Sequence, residues 1–311
     1  MFIHRTRWRV EADVVIVGYG AAGAAAAVAA REAGCEVIVI EKQEAPTPLS
    51  NSFMSGGGFI CSSDAKEARS YLEALYRTDQ GIYWTDPDIL QTWVDRTLEN
   101  KDWLEKRGAE FQLYRHCGGH DLPGTESMVV YQFTGMGPGM MRFLYEQVDK
   151  AHIPVMRGMR ATRVLEDSRN NVVGIEAREA ATGKALSIKA RRAVILTTGG
   201  YEFDEEAKLQ YLKVYPCYFH SSPWNTGDGI KMSLEVGAQL WHMNSCAAGC
   251  VMKFPELATG RLPYFGGPHW VNPGQSGLPP AGGEGWLAQH VDRSIPIAGY
   301  LITDRYGRRY A

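Results

Sequence analysis

An α/β fold organised around a doubly wound parallel sheet is what this 311-residue sequence predicts, on three observations. Two short, unbroken apolar runs, VVIV at residues 14–17 and VIVI at 37–40, have the composition of strands buried on both faces, as parallel strands are. Between them an alanine-rich stretch, residues 21–33, has high helix propensity. It is followed by Gly34, where a helix C-terminus favours a left-handed residue. A third buried-strand pattern returns in RAVILTTGG, residues 192–200, and ends in a glycine turn. The first two strands and the helix make one βαβ unit.

The remaining elements follow in order. A loop with Pro46 and Pro48 leads from the second strand into SNSFMSGGGFI, residues 50–60. With Asp64 as N-cap, DAKEARSYLEALYRT places Ala68, Tyr71, Leu72 and Leu75 on one helical face. A longer helix is expected after Thr85-Asp86-Pro87, running to Gly108. A glycine-rich loop, TGMGPGM at 134–140, is expected before another helix at 141–152. IPVMRGMRATRVLED and VVGIEAREAATGKALSIKA then read as strands of a β-meander, the last two joined by a Thr-Gly-Lys turn. After Gly237 regularity fades, and residues 244–290 carry the Gly and Pro of a loop-dominated region over a site. There is no internal repeat.

Composition bounds the function. Hydrophobic residues make up 45% and charged residues 22%, as in an ordinary soluble globular protein. A net charge of −2 offers no electrostatic case for nucleic acid or an anionic membrane surface. No apolar run approaches the roughly 20 residues needed to span a bilayer, and MFIHRTRWRVEAD lacks the apolar core of a signal peptide. The six cysteines are scattered, which suits reduced thiols in a cytoplasm better than a disulfide framework. The final AGYLITDRYGRRYA reads as a strand, a turn and the start of a return strand, the pattern expected of a fragment.

The first motif with chemistry is Gly18-x-Gly20-x-x-Gly23, between a strand and a helix. The first glycine permits a tight turn, the second lets backbone approach a pyrophosphate, and the third lets helix and strand pack closely. The helix N-terminus adds free N–H groups and partial positive charge. Glu41 lies 23 residues beyond Gly18, near the spacing at which an acid accepts hydrogen bonds from an adenosine ribose. An acid there favours an unphosphorylated ribose, hence NAD or FAD. Just beyond, Ser50, Ser52 and Ser55 with Gly56, Gly57 and Gly58 offer short polar groups and bare backbone to a flat ring system. A flexible polar loop would have the same composition.

The pieces VVIVGYGAAGAAAAVAA, IEK, SNSFMSGGGFI, AVILTTGGYEFDEE and NTGDGIKMSLEVGAQL occur in the order found in the fumarate reductase and succinate dehydrogenase flavoprotein superfamily. The chain resembles that superfamily over about residues 12–240, and KEARSYLEALYR is similar to a helix of its 3-ketosteroid dehydrogenases. The resemblance implies FAD rather than NAD. It implies a Rossmann-like FAD-binding domain at 1–240, with a β-meander and a helical insertion at about 64–150, and the beginning of an α+β capping or substrate domain at 241–311. Gly18, Gly20, Ala22 and Gly23 would meet the pyrophosphate, Glu41 the adenosine ribose, and Lys42 would sit beside the adenine. Ser50, Asn51, Ser52, Ser55, Gly56, Gly57 and Gly58 would line the diphosphate, ribityl chain and flavin. The Ala161 backbone would contact adenine, Thr198 and Gly199 would close the nucleotide side, and Asp228 would hold the polar edge of the cofactor region.

The implied reaction is hydride transfer between flavin N5 and a carbon next to a carbonyl, interconverting C–C and conjugated C=C bonds. The substrate is expected to be a ketosteroid-like enone, on the helix resemblance and the aromatic loops. The alternatives are reduction of a fumarate-like unsaturated carboxylate, or a nucleotide-binding fragment without turnover. An electron donor or acceptor of unspecified identity is implied as well. Two departures bear on this. Members that tether FAD covalently carry Ser-His-Thr where this chain has Ser50-Asn51-Ser52, so non-covalent FAD is expected. The arginine proton donor of fumarate-reductase-like members, and the segment that returns to the FAD domain, fall beyond Ala311.

Other candidates are weaker. His116 and His120 flank Cys117 at a metal-like spacing, but two glycines break the helix that would align them, so no metal is expected. The same segment falls where ketosteroid dehydrogenases place an active-site tyrosine. Gly118 stands at the closest matching position, which leaves Tyr114 and His120 as candidate acids. Cys246 and Cys250 lack redox spacing. Arg308 and Arg309 match a structural turn of the family, and Tyr264, Phe265, His269, Trp270 and Trp286 offer an aromatic wall.

Overall fold

The structure, a computed structural model, describes residues 7–116 and 122–245. The expectations for Cys117, Gly118 and His120, and for the capping segment with Cys246, Cys250, its aromatic set, Arg308 and Arg309, lie outside the described residues. In chain order the elements are β1 (Trp8–Val17), α1 (Ala21–Glu32), β2 (Val37–Ile40), α2 (Asn51–Met54), β3 (Gly58–Ser62), α3 (Ala65–Tyr76), α4 (Pro87–Glu105), β4 (Phe111–His116), β5 (Met128–Phe133), α5 (Met136–Lys150), β6 (Val155–Met156), β7 (Met159–Glu166), β8 (Val172–Glu179), β9 (Ala185–Leu196), α6 (Glu205–Tyr211) and α7 (Asp228–Glu235). They fall into two compact units: one runs through Met1–Met54 and resumes at Val148, the other is Ser55–Gln147.

The first unit is a six-stranded mixed sheet in the order β6-β2-β1-β9-β8-β7. β6, β2, β1 and β9 are parallel, and β8 and β7 continue the sheet as an antiparallel meander. Val14 to Val17 pair with Val37 to Ile40, and all eight side chains are buried, as their unbroken apolar composition requires. Val15, Val17, Ile38, Ile40, Ala161, Val164, Ile175 and Ile188 form one continuous core with Met232 of α7. Two expected strands prove to be one: β9 pairs with the meander over residues 185–189 and with β1 over residues 187–196. That continuity carries the meander directly to Thr197 beside the first glycine turn.

The second unit holds α3 and α4 and a three-stranded antiparallel sheet, β3-β5-β4. Asp64 caps α3 through the Glu67 N–H at 2.8 Å, and Ala68, Tyr71 and Leu72 are buried against Leu90 and Val94 of α4. Asp86 caps α4, with Pro87 in its first turn where a missing N–H costs nothing. The small sheet was not legible beforehand, because its strands lack clean alternation. Its rings assemble across strands instead: Phe59 packs edge-on to Phe111 at 5.0 Å and stacks on Tyr131 at 5.5 Å. The expected glycine loop at 134–140 is instead largely helical, since α5 begins at Met136. Glycine is needed there for closeness: a Cβ on Gly139 would lie 1.9 Å from the Thr134 carbonyl oxygen. Among the described residues, no helix is long and apolar enough to cross a membrane.

Candidate dinucleotide site

The site is built where β1 gives way to α1. The Gly18 N–H donates to the Ile40 carbonyl at 2.8 Å, folding the chain over the end of β2. Its φ of +103° and a virtual Cβ only 2.3 Å from the Thr197 carbonyl oxygen exclude any side chain. The Thr197 hydroxyl ties the turn down from β9, its one proton shared between the carbonyls of Val17 (2.9 Å) and Gly18 (3.0 Å). At Gly23 a Cβ would lie 2.0 Å from the Gly18 carbonyl oxygen, so this glycine lets α1 press against the turn. Gly20 is the helix N-cap and brings no side chain to the first-turn N–H groups. Ser52 Oγ accepts from the Ala21 N–H at 3.2 Å, which places the serine segment over the helix tip.

Around that tip lies one cleft made wholly of first-unit residues, lined by Gly18, Gly20, Ala22, Glu41, Lys42, Ser50, Asn51, Ser52, Ala161, Thr198, Gly199 and Asp228 among others. Glu41 is buried. Its carboxylate accepts from the Tyr19 N–H at 2.9 Å and the Gln43 N–H at 2.8 Å. Two backbone bonds fix the group and leave acceptor capacity for hydroxyls of a sugar. Lys42 and Asp228 form an ion pair at 2.9 Å, joined by Arg160 at 2.6 Å and the Thr226 hydroxyl at 3.1 Å. Burial acts to raise the Asp228 carboxyl, but hydrogen bonds from Arg160 and Lys42 outweigh it and hold it below the ordinary carboxylate range. Ala161 is buried in β7 opposite Ala177, next to an irregular step in the pairing. Thr198 closes against Gly229, where a Cβ would lie 2.0 Å from its hydroxyl, and Gly199 closes against Asn225.

The other expected residues that the structure describes lie in the second unit. Ser55, Gly56, Gly57 and Gly58 belong to the second unit; there the Gly57 N–H donates to Ser55 Oγ at 3.0 Å and the Gly56 carbonyl accepts from Gln132 Nε2 at 2.9 Å. Tyr114 sits on β4 at the bulge between the Leu113 and Arg115 pairings, with its side chain exposed. Thr197, Asn225, Ser222 and Arg160 shape or line the cleft without having been singled out. Thr197, Asn225 and Thr226 stand inside the TTGG and NTGDG strings, but Arg160 carries no sequence signal. Among the described residues, no group of three or more His, Cys, Asp or Glu side chains is arranged to hold a metal, and Cys35 and Cys61 are buried free thiols.

The donor set fits FAD. A helix tip capped by glycine, a bare glycine turn, a pinned acid and a serine strap offer N–H groups to a diphosphate and acceptors to a ribose. The chain is 27% identical over 304 residues to the vinyl phenol reductase of Lactiplantibacillus plantarum, covering 92% of this chain and 56% of that protein. To the urocanate reductase of Eggerthella lenta it is 29% identical over 273 residues, covering 82% and 42%. It thus spans about half the length of these curated relatives or less. Among solved structures, the 3-ketosteroid delta1-dehydrogenase from Sterolibacterium denitrificans shares the fold with a TM-score of 0.73 at 19% identity, over 82% of this chain and 60% of that one. The FAD binding domain family matches residues 13–252, and this chain, with its glycine turn, its pinned Glu41 and its serine strap, belongs to that family.

Proposed function

We propose that this chain holds FAD for an oxidoreductase acting on CH–CH groups, interconverting a C–C single bond and a conjugated C=C bond next to a carbonyl. The observation that carries the proposal is the convergence on one cleft of the bare helix tip, the pinned Glu41 and the Ser50–Ser52 strap. Bound FAD supplies hydride exchange at its N5. The protein's part is to grip and orient. The α1 N-terminus and the Gly18 turn take the diphosphate, Glu41 takes ribose hydroxyls, and Ala161 offers backbone to adenine. The Lys42–Asp228–Arg160 group stiffens the wall beside it. Ser55 to Gly58 are assigned to the flavin and ribityl chain on the family resemblance.

FAD is held without a covalent bond, because the Asn51 amide cannot form a histidyl–flavin link. Residues 1–240 form the FAD-binding domain with its insertion, and residues 241–311 begin the substrate domain. Tyr114 and His120 are the candidate acids for the proton on the neighbouring carbon. The protein works in the cytoplasm with a small-molecule substrate and a separate electron donor or acceptor. The substrate is a ketosteroid-like enone; the similarity to a protein named urocanate reductase favours an unsaturated carboxylate as the second reading.

The test begins with the colour of the purified chain. A flavin spectrum, with all flavin released into the supernatant by acid or SDS, is expected. Turnover is then followed with a reduced dye and either a steroid enone or an unsaturated carboxylate, and Tyr114→Phe is expected to slow it. A colourless protein whose melting temperature does not respond to added FAD would refute the proposal. Flavin binding with no turnover on either substrate would reduce it to a nucleotide-binding unit.

A further inference from the structure

We infer that Asn51 and Glu202 form a clamp that positions the serine strap over the cleft, a role that rests on the FAD reading above. The Asn51 side chain bridges three segments. Its Oδ1 accepts from the Ser222 backbone N–H at 2.7 Å and from the Ser221 hydroxyl at 2.8 Å, while its Nδ2 donates to Glu202 Oε1 at 2.9 Å. The orientation of the amide follows from chemistry. A backbone N–H only donates, so the oxygen must face Ser222; the NH2 must then face the carboxylate, which only accepts. The Ser222 N–H and Glu202 therefore select the same flip state of Asn51, one from each side of the amide.

The groups that receive the clamp are themselves fixed. Ser221, Ser222 and Asn225 are buried, Ser222 Oγ donates to the Leu49 carbonyl, and Asn225 Nδ2 reaches Ser221 Oγ at 3.4 Å. On the far side Glu202 folds back over Gly200, where a Cβ would lie 2.5 Å from its Oε2. The strap so anchored carries Ser52, which caps the Ala21 N–H at the helix tip. Leu49, Ser50, Asn51 and Ser52 on one side, and Ser222, Trp224 and Asn225 on the other, are walls of the same cleft. Holding them together before the cofactor arrives removes an ordering cost from binding.

The test is a double-mutant cycle on the 311-residue chain, reading the FAD dissociation constant by flavin fluorescence and the melting temperature of the FAD-free protein. In N51D the second carboxylate oxygen faces Glu202, and the like charges open the clamp; FAD binding is expected to weaken about tenfold. E202Q alone keeps an acceptor for the Asn51 NH2 and should stay within about threefold of the parent. In the N51D/E202Q chain the new amide can donate to the new carboxylate, and binding should return to within about threefold of the parent. A simple repulsion between carboxylates and the diphosphate predicts additivity instead, with E202Q tightening FAD by the same factor in both backgrounds; that result overturns the clamp. So does rescue seen only in the melting temperature, which would make the pair structural without positioning the cofactor. If the parent chain binds no FAD, the cofactor reading itself fails, whereas a parent that binds and variants that behave additively sink the clamp alone.

Discussion

Glu41→Gln separates what a carboxylate does for the cofactor from what it does for the fold. In the structure both oxygens of Glu41 are engaged by backbone: Oε2 takes the Tyr19 N–H at 2.9 Å and Oε1 the Gln43 N–H at 2.8 Å. An amide of the same shape has one acceptor oxygen, so one of these buried N–H groups would face an NH2. Losing a charge-assisted bond and stranding its donor costs about 2–3 kcal/mol. For a unit of this size that corresponds to a fall of roughly 5–10 °C in melting temperature. The measurement is a calorimetric or fluorescence melt of the FAD-free protein beside the parent, with flavin titration on the same samples. A variant that binds FAD more weakly yet melts within about 1 °C of the parent, without cofactor, would show that the backbone bonds contribute little and refute the reasoning.

Gly23→Ala should be poorly tolerated although the change is a single methyl group. Its Cβ would meet the Gly18 carbonyl oxygen at 2.0 Å and Thr197 Oγ1 at 2.7 Å, and relief requires moving α1 off the turn. A loss of about 1–3 kcal/mol in urea unfolding is expected, with weaker FAD binding by fluorescence titration. Asp228→Asn should show its effect in the acid limb. The folded-state carboxyl lies below its ordinary 3.8, so its stabilisation is present above that pH and drains away as pH falls below it. Arg160 is more than half exposed, so the main contribution comes from Lys42, about 1–2 kcal/mol at neutral pH. Melting curves from pH 7 downward should therefore find D228N less stable than the parent near neutrality and converging with it in acid.

Much of the architecture follows from local physics. The βαβ unit is written in apolar runs with glycines at fixed offsets, and each glycine does in the structure what its place in the motif requires: Gly18 turns and Gly23 admits the helix. The caps of α3 and α4 were readable because Asp64 and Asp86 lie immediately before helix-favouring sequence. The small aromatic sheet was not, since Phe59, Phe111 and Tyr131 gain meaning only when their strands are paired. Nor was the helical start of α5, where composition argues for a loop and close packing on Thr134 decides otherwise.

The cleft divides the same way. Sequence alone determined the glycine turn and the acid at the end of β2, because backbone conformation and short-range spacing fix them; for the serine segment, a flexible polar loop has the same composition, and the bond from the Ala21 N–H to Ser52 is tertiary. Only the tertiary structure decided that Asp228 would find Lys42 and Arg160, that Thr197 would pin the turn, and that Asn51 would reach Ser221, Ser222 and Glu202. Those partners lie far apart in the chain, from 68 residues for Arg160 and Asp228 to 186 for Lys42 and Asp228, and a hydrogen bond has no sequence period. They meet because β9 returns beside β1 and brings its following loop, and then α7, to the rim that the first turn had opened.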